Sequence, residues 1–138
     1  MPALADTQEP HDAVVVAISR EMVRVYKEQF GRGPTSARTY WAGPDTVVST
    51  LEDTLTPAER NMVRLGEHER LREARIFFQY ASVAEFCDPV ERITGRKVRS
   101  FVSGIDTAVD GLSVEVFVLH PSGYEGPSRQ AAGVASDD

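Results

Sequence analysis

The sequence predicts an α+β fold with duplicated α-β-β units, in which a four-stranded, mainly antiparallel sheet has helices packed on one face. Three observations predict it. Near each end of the chain, apolar residues at helical spacing precede two short strand-like runs. A long helical stretch lies between these two parts of the chain, and a nine-residue signature recurs. The 138 residues suit one domain. We expect it to span residues 11–120, with the units at about 11–53 and 82–120.

The first unit opens with an amphipathic helix. Its apolar residues recur at three- and four-residue steps: Val15, Ile18, Met22, Tyr26 and Phe30. Gly31 and Pro34 end the helix, because glycine tolerates a left-handed cap and proline cannot continue the hydrogen-bond ladder. Strands over residues 37–42 and 46–53 then flank a turn at Gly43-Pro44-Asp45-Thr46. These runs predict a helix followed by a hairpin.

The middle of the chain has helical character from residue 57 to about Thr94. Thr56-Pro57-Ala58-Glu59 is a capping box, with a hydroxyl at the N-cap, proline at the first helical position and a carboxylate at the third. Gly66 weakens the helix, and Asp88-Pro89 either kinks it or caps a separate short helix. The boundaries inside this stretch therefore stay open.

The second unit closes with another hairpin. Gly95 ends the helical stretch, and strands over residues 97–105 and 112–119 flank an Asp110-Gly111 turn. In the last strand three valines share a side with Leu112, while Phe117 and Leu119 make the opposite side partly apolar. Because an apolar sheet face is unfavourable in water, we expect another protein surface to cover it. A second copy of the chain is the natural candidate, so we expect a homodimer.

The nine-residue signature suggests duplication. Residues 38–46 and 99–107 share the pattern R-[ST]-[FY]-x-[AS]-G-x-D-T at an offset of 61 (106 minus 45). Upstream, Gly31-Arg32 and Gly95-Arg96 also match, after a three-residue insertion. Because the order helix, strand, strand also recurs, we interpret the pattern as an internal repeat with approximate two-fold symmetry.

Composition excludes several classes of protein. A formal charge of −6 and a pI near 5.1 disfavour nucleic acid as a partner. No apolar run approaches the roughly 20 residues of a membrane helix, so we expect no membrane insertion. A single cysteine and a start without a secretion signal predict a cytoplasmic protein. Small and polar residues predict a flexible N-terminus over 1–10 and a disordered C-terminal tail over 121–138.

The repeated charges are the candidate ligand-binding groups. They would form a binding site for a small anion if they lay close together around the symmetry axis, and they are Arg38, Asp45, Arg99 and Asp106. The alternative, which we favour, is structural: an aspartate after Gly-x stabilises turns, and a strand arginine is commonly solvated. The adjacent aromatic residues Tyr40-Trp41 are either core or a docking surface for a partner.

The remaining motifs predict no chemistry. The three histidines lie far apart, and none has a second His or Cys at helical spacing, so we expect no metal site. Cys87 lacks a neighbouring base, and Gly31-Arg32-Gly33-Pro34 lacks the strand-loop-helix context of a phosphate loop. We expect no catalytic residues and no cofactor.

Several segments together resemble one family. They are residues 18–23, 26–34, 51–52, 55–59, 94–98 and 114–119, which read ISREMV, YKEQFGRGP, LE, LTPAE, TGRKV and VEVFVL. The resemblance is to the MpsC-like domain, long described as a domain of unknown function, and covers roughly residues 13–120. It implies a small bacterial protein associated with a Na+-translocating, membrane-potential-generating system linked to bicarbonate supply, in which membrane subunits perform the transport.

Two hypotheses follow. In the first, the chain is a non-enzymatic accessory or regulatory module that docks on a membrane transporter subunit, peripheral to the inner membrane face. In the second, it is a small-anion sensor or enzyme that uses the repeated Arg and Asp groups.

Overall fold

A computed structural model describes residues 2–129 of the chain, with side chains from residue 12 onward. Its elements are α1 (Pro2–Phe30), β1 (Ser36–Trp41), β2 (Thr46–Glu52), α2 (Pro57–Arg64), α3 (His68–Ala81), α4 (Val83–Thr94), β3 (Val98–Asp106) and β4 (Leu112–Leu119). The strands form one antiparallel sheet in the order β1-β2-β4-β3. The predicted α+β class and four-stranded antiparallel sheet are thus confirmed.

The helix boundaries follow local signals that the sequence carries. α1 ends at Phe30 and is followed by Gly31 with a φ of +80°. At its other end, α1 continues through residues 2–10, for which the sequence predicted a flexible start. The capping box before α2 is present, because the Thr56 hydroxyl accepts from the Glu59 amide at 3.2 Å and the Glu59 carboxylate accepts from the Thr56 amide at 2.8 Å.

The helical middle of the chain is divided into three helices. Gly66, with a φ of +78°, separates α2 from α3. The second break falls at Ser82, between α3 and α4, and Pro89 lies inside α4. Of the two expectations for Asp88-Pro89, the separate cap is therefore wrong. Gly95, with a φ of +70°, ends α4 as predicted.

The helices cover a single face of the sheet. α1 contacts β1, β2 and α4, while α3 and α4 contact β3. The buried core lies between these layers and consists of Ile18, Met22, Val25, Tyr26, Val47, Leu51, Phe86, Cys87, Val90, Val98, Phe101, Phe117 and Leu119. In β4 the buried side is that of Phe117 and Leu119, and the valines of this strand lie on the other side, half-buried. Both sides of β4 carry apolar residues, so the side that the helices cover, and not the composition of the strand, determines which side is buried in the core.

The predicted duplication is not confirmed, because the signature falls on inequivalent positions. Gly43 lies in the first hairpin turn with a φ of +95°, whereas its counterpart Gly104 lies inside β3. Tyr40 is 49% exposed, whereas its counterpart Phe101 is buried in the core. An offset of 61 residues therefore does not relate equivalent positions of the two hairpins.

The segment after β4 folds back against the domain. The Tyr124 ring stacks on His120 with a centroid distance of 3.6 Å. Further along, the Arg129 amide donates to the Val98 carbonyl at 2.5 Å. Residues 121–129 of the predicted tail thus contact the domain, and residues 130–138 lie outside the described residues.

Candidate functional site

A buried row of polar side chains crosses the helix-covered face of the sheet. Thr39 of β1 is opposite Ser49 of β2, Ser49 is opposite Glu115 of β4, and Glu115 is opposite Ser103 of β3. All four side chains are buried, and Ser49 and Glu115 have no exposed surface. We call these residues the polar row. Burying polar groups is unfavourable unless they are hydrogen-bonded, so their partners matter.

One end of the polar row consists of hydroxyl groups. The Thr39 and Ser49 hydroxyl oxygens are 2.8 Å apart. The Ser19 hydroxyl of α1 lies 2.8 Å from that of Thr39 and extends the row to the helix. Ser19 and Thr39 also line a groove of about 460 Å³ between α1 and β1. This end of the polar row therefore borders the groove.

The other end contains the carboxylate. Tyr26 of α1 donates its hydroxyl hydrogen to Glu115 Oε1 at 2.6 Å. Gln79 of α3 donates through Nε2 to the Ser103 hydroxyl and, at 3.3 Å, to Glu115 Oε1. Within the described residues, Glu115 Oε2 and Gln79 Oε1 have no hydrogen-bond partner. Oε2 is thus the carboxylate oxygen at which a proton is best accommodated.

A buried arginine lies on the same side of the sheet. Arg75 of α3 is 1% exposed and donates to Glu59 Oε1 at 2.9 Å and to the Thr54 hydroxyl at 3.1 Å. Its guanidinium carbon lies 3.9 Å from the centroid of the Phe30 ring, a cation–π arrangement. Arg75 therefore has its own carboxylate partner, Glu59, and does not neutralise Glu115 directly.

Burial dominates the electrostatics of Glu115. Loss of hydration raises the pKa of Glu115 to about 7, although hydrogen bonds from Ser103 and Tyr26 and the charge of Arg75 favour the ionised form. Burial and the neighbouring carboxylate also raise the pKa of Tyr26 well above its usual value, so Tyr26 remains a donor. The arrangement can bind and release one proton near neutral pH.

The four repeated charged residues do not converge. Arg38 and Arg99 are exposed on β1 and β3, the two edge strands, which are three strand spacings or about 14 Å apart. Asp45 pairs with Arg96 at 2.5 Å in the first hairpin turn. Asp106 accepts a hydrogen bond from the amide two residues later, at 2.9 Å. The aspartates thus have structural partners of their own.

The two adjacent aromatic residues point to opposite faces. Tyr40 is half-exposed on the face without helices, whereas Trp41 packs against the core. Of the candidate docking residues, Tyr40 is the one on an open surface.

The sequence did carry a signal for the missed carboxylate. Glu115 lies on the side of β4 that carries Phe117 and Leu119, so an acidic residue shares a side with two large apolar ones. Its partners could not be read locally, because Tyr26 and Gln79 lie 89 and 36 residues away in the chain. Among the described residues, no group of three or more acidic, histidine or cysteine side chains could hold a metal ion.

Comparisons with known proteins identify the family. Within residues 2–129, no helix has both the length and the apolar character needed for a membrane crossing. No significant match was found among curated proteins or among solved structures. A family profile described as "Na+-translocating membrane potential-generating system (MpsC)" matches residues 12–121, from within α1 to just after β4. The chain therefore belongs to the MpsC family, whose role is tied to a Na+-translocating membrane potential-generating system.

Proposed function

We propose that this chain is a non-enzymatic accessory or regulatory module that docks on a membrane subunit of a bacterial cation and bicarbonate transport system. Family membership supports the link to a membrane-potential-generating system. The burial of the polar row is in keeping with a non-enzymatic role, because Ser49 and Glu115 have no surface exposed to a substrate. In this proposal the membrane subunit performs the translocation.

The observation that carries the proposal is an apolar sheet face without helices. Tyr40, Val48, Val116 and Val102 are directly paired across the four strands on this face. Tyr40 is 49% exposed and Val102 is 55% exposed. We call this surface, together with Val114 and Val118, the valine face. Contiguous apolar surface of this kind typically marks a protein interface.

We assign the valine face to a second copy of the chain. Two such faces can pack with their strands nearly aligned and about 10 Å between the sheets, as in sheet sandwiches. The homodimer would then dock on the membrane subunit at the cytoplasmic face. Cys87, a buried free thiol, is in keeping with a reducing compartment.

Affinity capture from native membranes tests the accessory role. The tagged wild-type chain should recover an integral membrane subunit of the transport system, and deletion of the gene should impair bicarbonate-dependent growth. Recovery of no membrane protein under mild detergent, together with unimpaired growth of the deletion strain, would refute the proposal.

Sedimentation tests the dimer. The wild-type chain should sediment as two copies at micromolar concentration, whereas Val116→Glu should sediment as one copy because it places a charge in the valine face. Glu52→Gln, at an exposed position of β2, is the matched control and should remain dimeric. A wild-type mass equal to one chain would argue against the dimer but not against the accessory role.

A further inference from the structure

The edge of β1 presents unpaired backbone groups to the groove. The Ala42 amide donates to the Thr46 carbonyl at 2.8 Å, and the Leu119 amide donates to the Asp45 carbonyl at 2.7 Å. Antiparallel strands alternate between hydrogen-bonded and non-hydrogen-bonded residue pairs. Counted from the Ala42–Thr46 bond, every second residue of β1 therefore directs its backbone amide and carbonyl toward β2. The backbone groups of Ala37 and Thr39 face away from β2, and both residues line the groove.

The opposite edge of the sheet is protected. The Ser103 amide of β3 donates to the Tyr80 hydroxyl at 3.0 Å, and the Val98 carbonyl accepts from the Arg129 amide at 2.5 Å. No comparable bond reaches the Ala37 or Thr39 amide from the part of the chain that the structure describes. Proteins generally cover or disrupt free strand edges, and here one edge is covered while the other lies open beside a groove.

The groove has the shape and chemistry of a strand-binding cleft. Its volume is about 460 Å³, with β1 as one wall and α1 as the other. The helix wall is mainly apolar and includes Val15, Val16 and Val23. Such a wall suits every second side chain of an extended peptide that pairs with the edge strand.

Two cations flank this groove without an ion pair of their own. Arg20 on α1 and Arg38 on β1 both line it, and neither forms a salt bridge with any described residue. Most other arginines of the chain do, including Arg24, Arg75 and Arg96. Two unpaired positive charges on a chain with a formal charge of −6 select for acidic side chains in whatever occupies the groove.

We propose that the groove between α1 and β1 binds an extended segment of a partner protein, which adds as a fifth strand to β1. The segment carries apolar residues at alternate positions, facing the valines of α1, and acidic residues between them, on the helix-free side that Arg38 shares with Tyr40. Arg20, on the helix side, adds to the positive potential of the groove. A second copy of β1 fits poorly, because Ser36–Trp41 contains Arg38 and no acidic residue, so pairing would bring like charges together. The groove shares Tyr40 with the valine face, but the segment pairs with the edge of β1 whereas the dimer packs face to face, so the inference does not depend on the dimer.

A pair of peptide pools tests the proposal. The acidic pool consists of seven-residue, fluorescently labelled peptides with Val, Ile or Thr at odd positions and Asp or Glu at even positions. The basic pool has Lys or Arg at the even positions. Fluorescence anisotropy with the full chain should show binding of the acidic pool. Binding of the basic pool should be about tenfold weaker, because repulsion replaces attraction at Arg38 and the charge of Arg20 adds to the difference.

Charge-reversed variants identify the site. Arg20→Glu with Arg38→Glu should invert the preference between the pools, and both positions are exposed, so the fold should persist by circular dichroism. Arg72→Glu, at an exposed arginine of α3, is the matched control and should leave the preference unchanged. Amide hydrogen exchange should slow at Ala37 and Thr39 when the acidic pool binds, which distinguishes strand addition from a side-chain anion site.

Three results would overturn the proposal. The first is no binding of the acidic pool at millimolar concentration. The second is binding without protection of the Ala37 and Thr39 amides, which would indicate an anion site. The third is a dimer that Ala37→Pro dissociates, since Ala37 presents its amide to the open edge and this result would assign the edge to a second copy. Loss of the membrane subunit in affinity capture with intact peptide binding would refute the accessory role alone.

Discussion

Replacement of Glu115 by glutamine should remove a pH dependence of stability that the buried carboxyl group creates. Its pKa is raised from 4.5 to about 7 in the folded state. The folded protein therefore retains this proton to higher pH than the unfolded chain does. As pH rises from about 4.5 to about 7, the unfolded chain ionises first, and the free energy of unfolding falls by about 3 kcal/mol. Above that range the contribution is constant.

Urea unfolding at pH 5, 6, 7 and 8 measures this effect. The single tryptophan, Trp41, packs against the core and provides the fluorescence signal. Glu115→Gln keeps an acceptor for the Tyr26 hydroxyl and does not titrate, so the wild-type protein should lose about 2.5 kcal/mol relative to the variant between pH 5 and pH 8.

A control separates this effect from general pH dependence. Glu52→Gln removes an exposed carboxylate from the same sheet and should follow the wild-type curve to within about 0.5 kcal/mol. If the curves of the wild type and Glu115→Gln run parallel from pH 5 to pH 8, the buried carboxyl group does not hold its proton as we infer.

Three further predictions concern other positions. Gly111→Ala should lower the free energy of unfolding by about 2 kcal/mol or more, because φ is +76° and an added Cβ would lie 2.5 Å from the Leu55 side chain; unchanged urea midpoints would contradict this. Arg99→Ala, folded by circular dichroism, should still support bicarbonate-dependent growth because Arg99 lies outside the groove, whereas loss of growth would favour the anion-binding hypothesis. Burial raises the pKa of Cys87 to about 12, so its reaction with a disulfide reagent at pH 8 should be slow in the native protein and fast in urea; rapid native reaction would show that the thiol is accessible.

Local chemistry made several elements predictable. The capping box at Thr56 and the left-handed glycine at Gly95 satisfy backbone groups within a few residues, so the helix boundaries there could be derived without tertiary contacts. The strand pairs were predictable for the same reason, since each hairpin is closed by its own turn. The nine-residue signature failed because sequence identity at an offset does not determine which residues face each other across a sheet.

The sequence by itself determined the fold class, the four strands and the family, because these depend on short-range periodicity, turn chemistry and a pattern of residues along the chain. Only the tertiary structure decided which face of β4 is buried, since both faces are apolar and the position of α1 and α3 selects between them. It also decided that Glu115 lies under those helices beside Tyr26 and Gln79, and that the edge of β1 remains open. These features depend on contacts between distant segments, which no local pattern specifies.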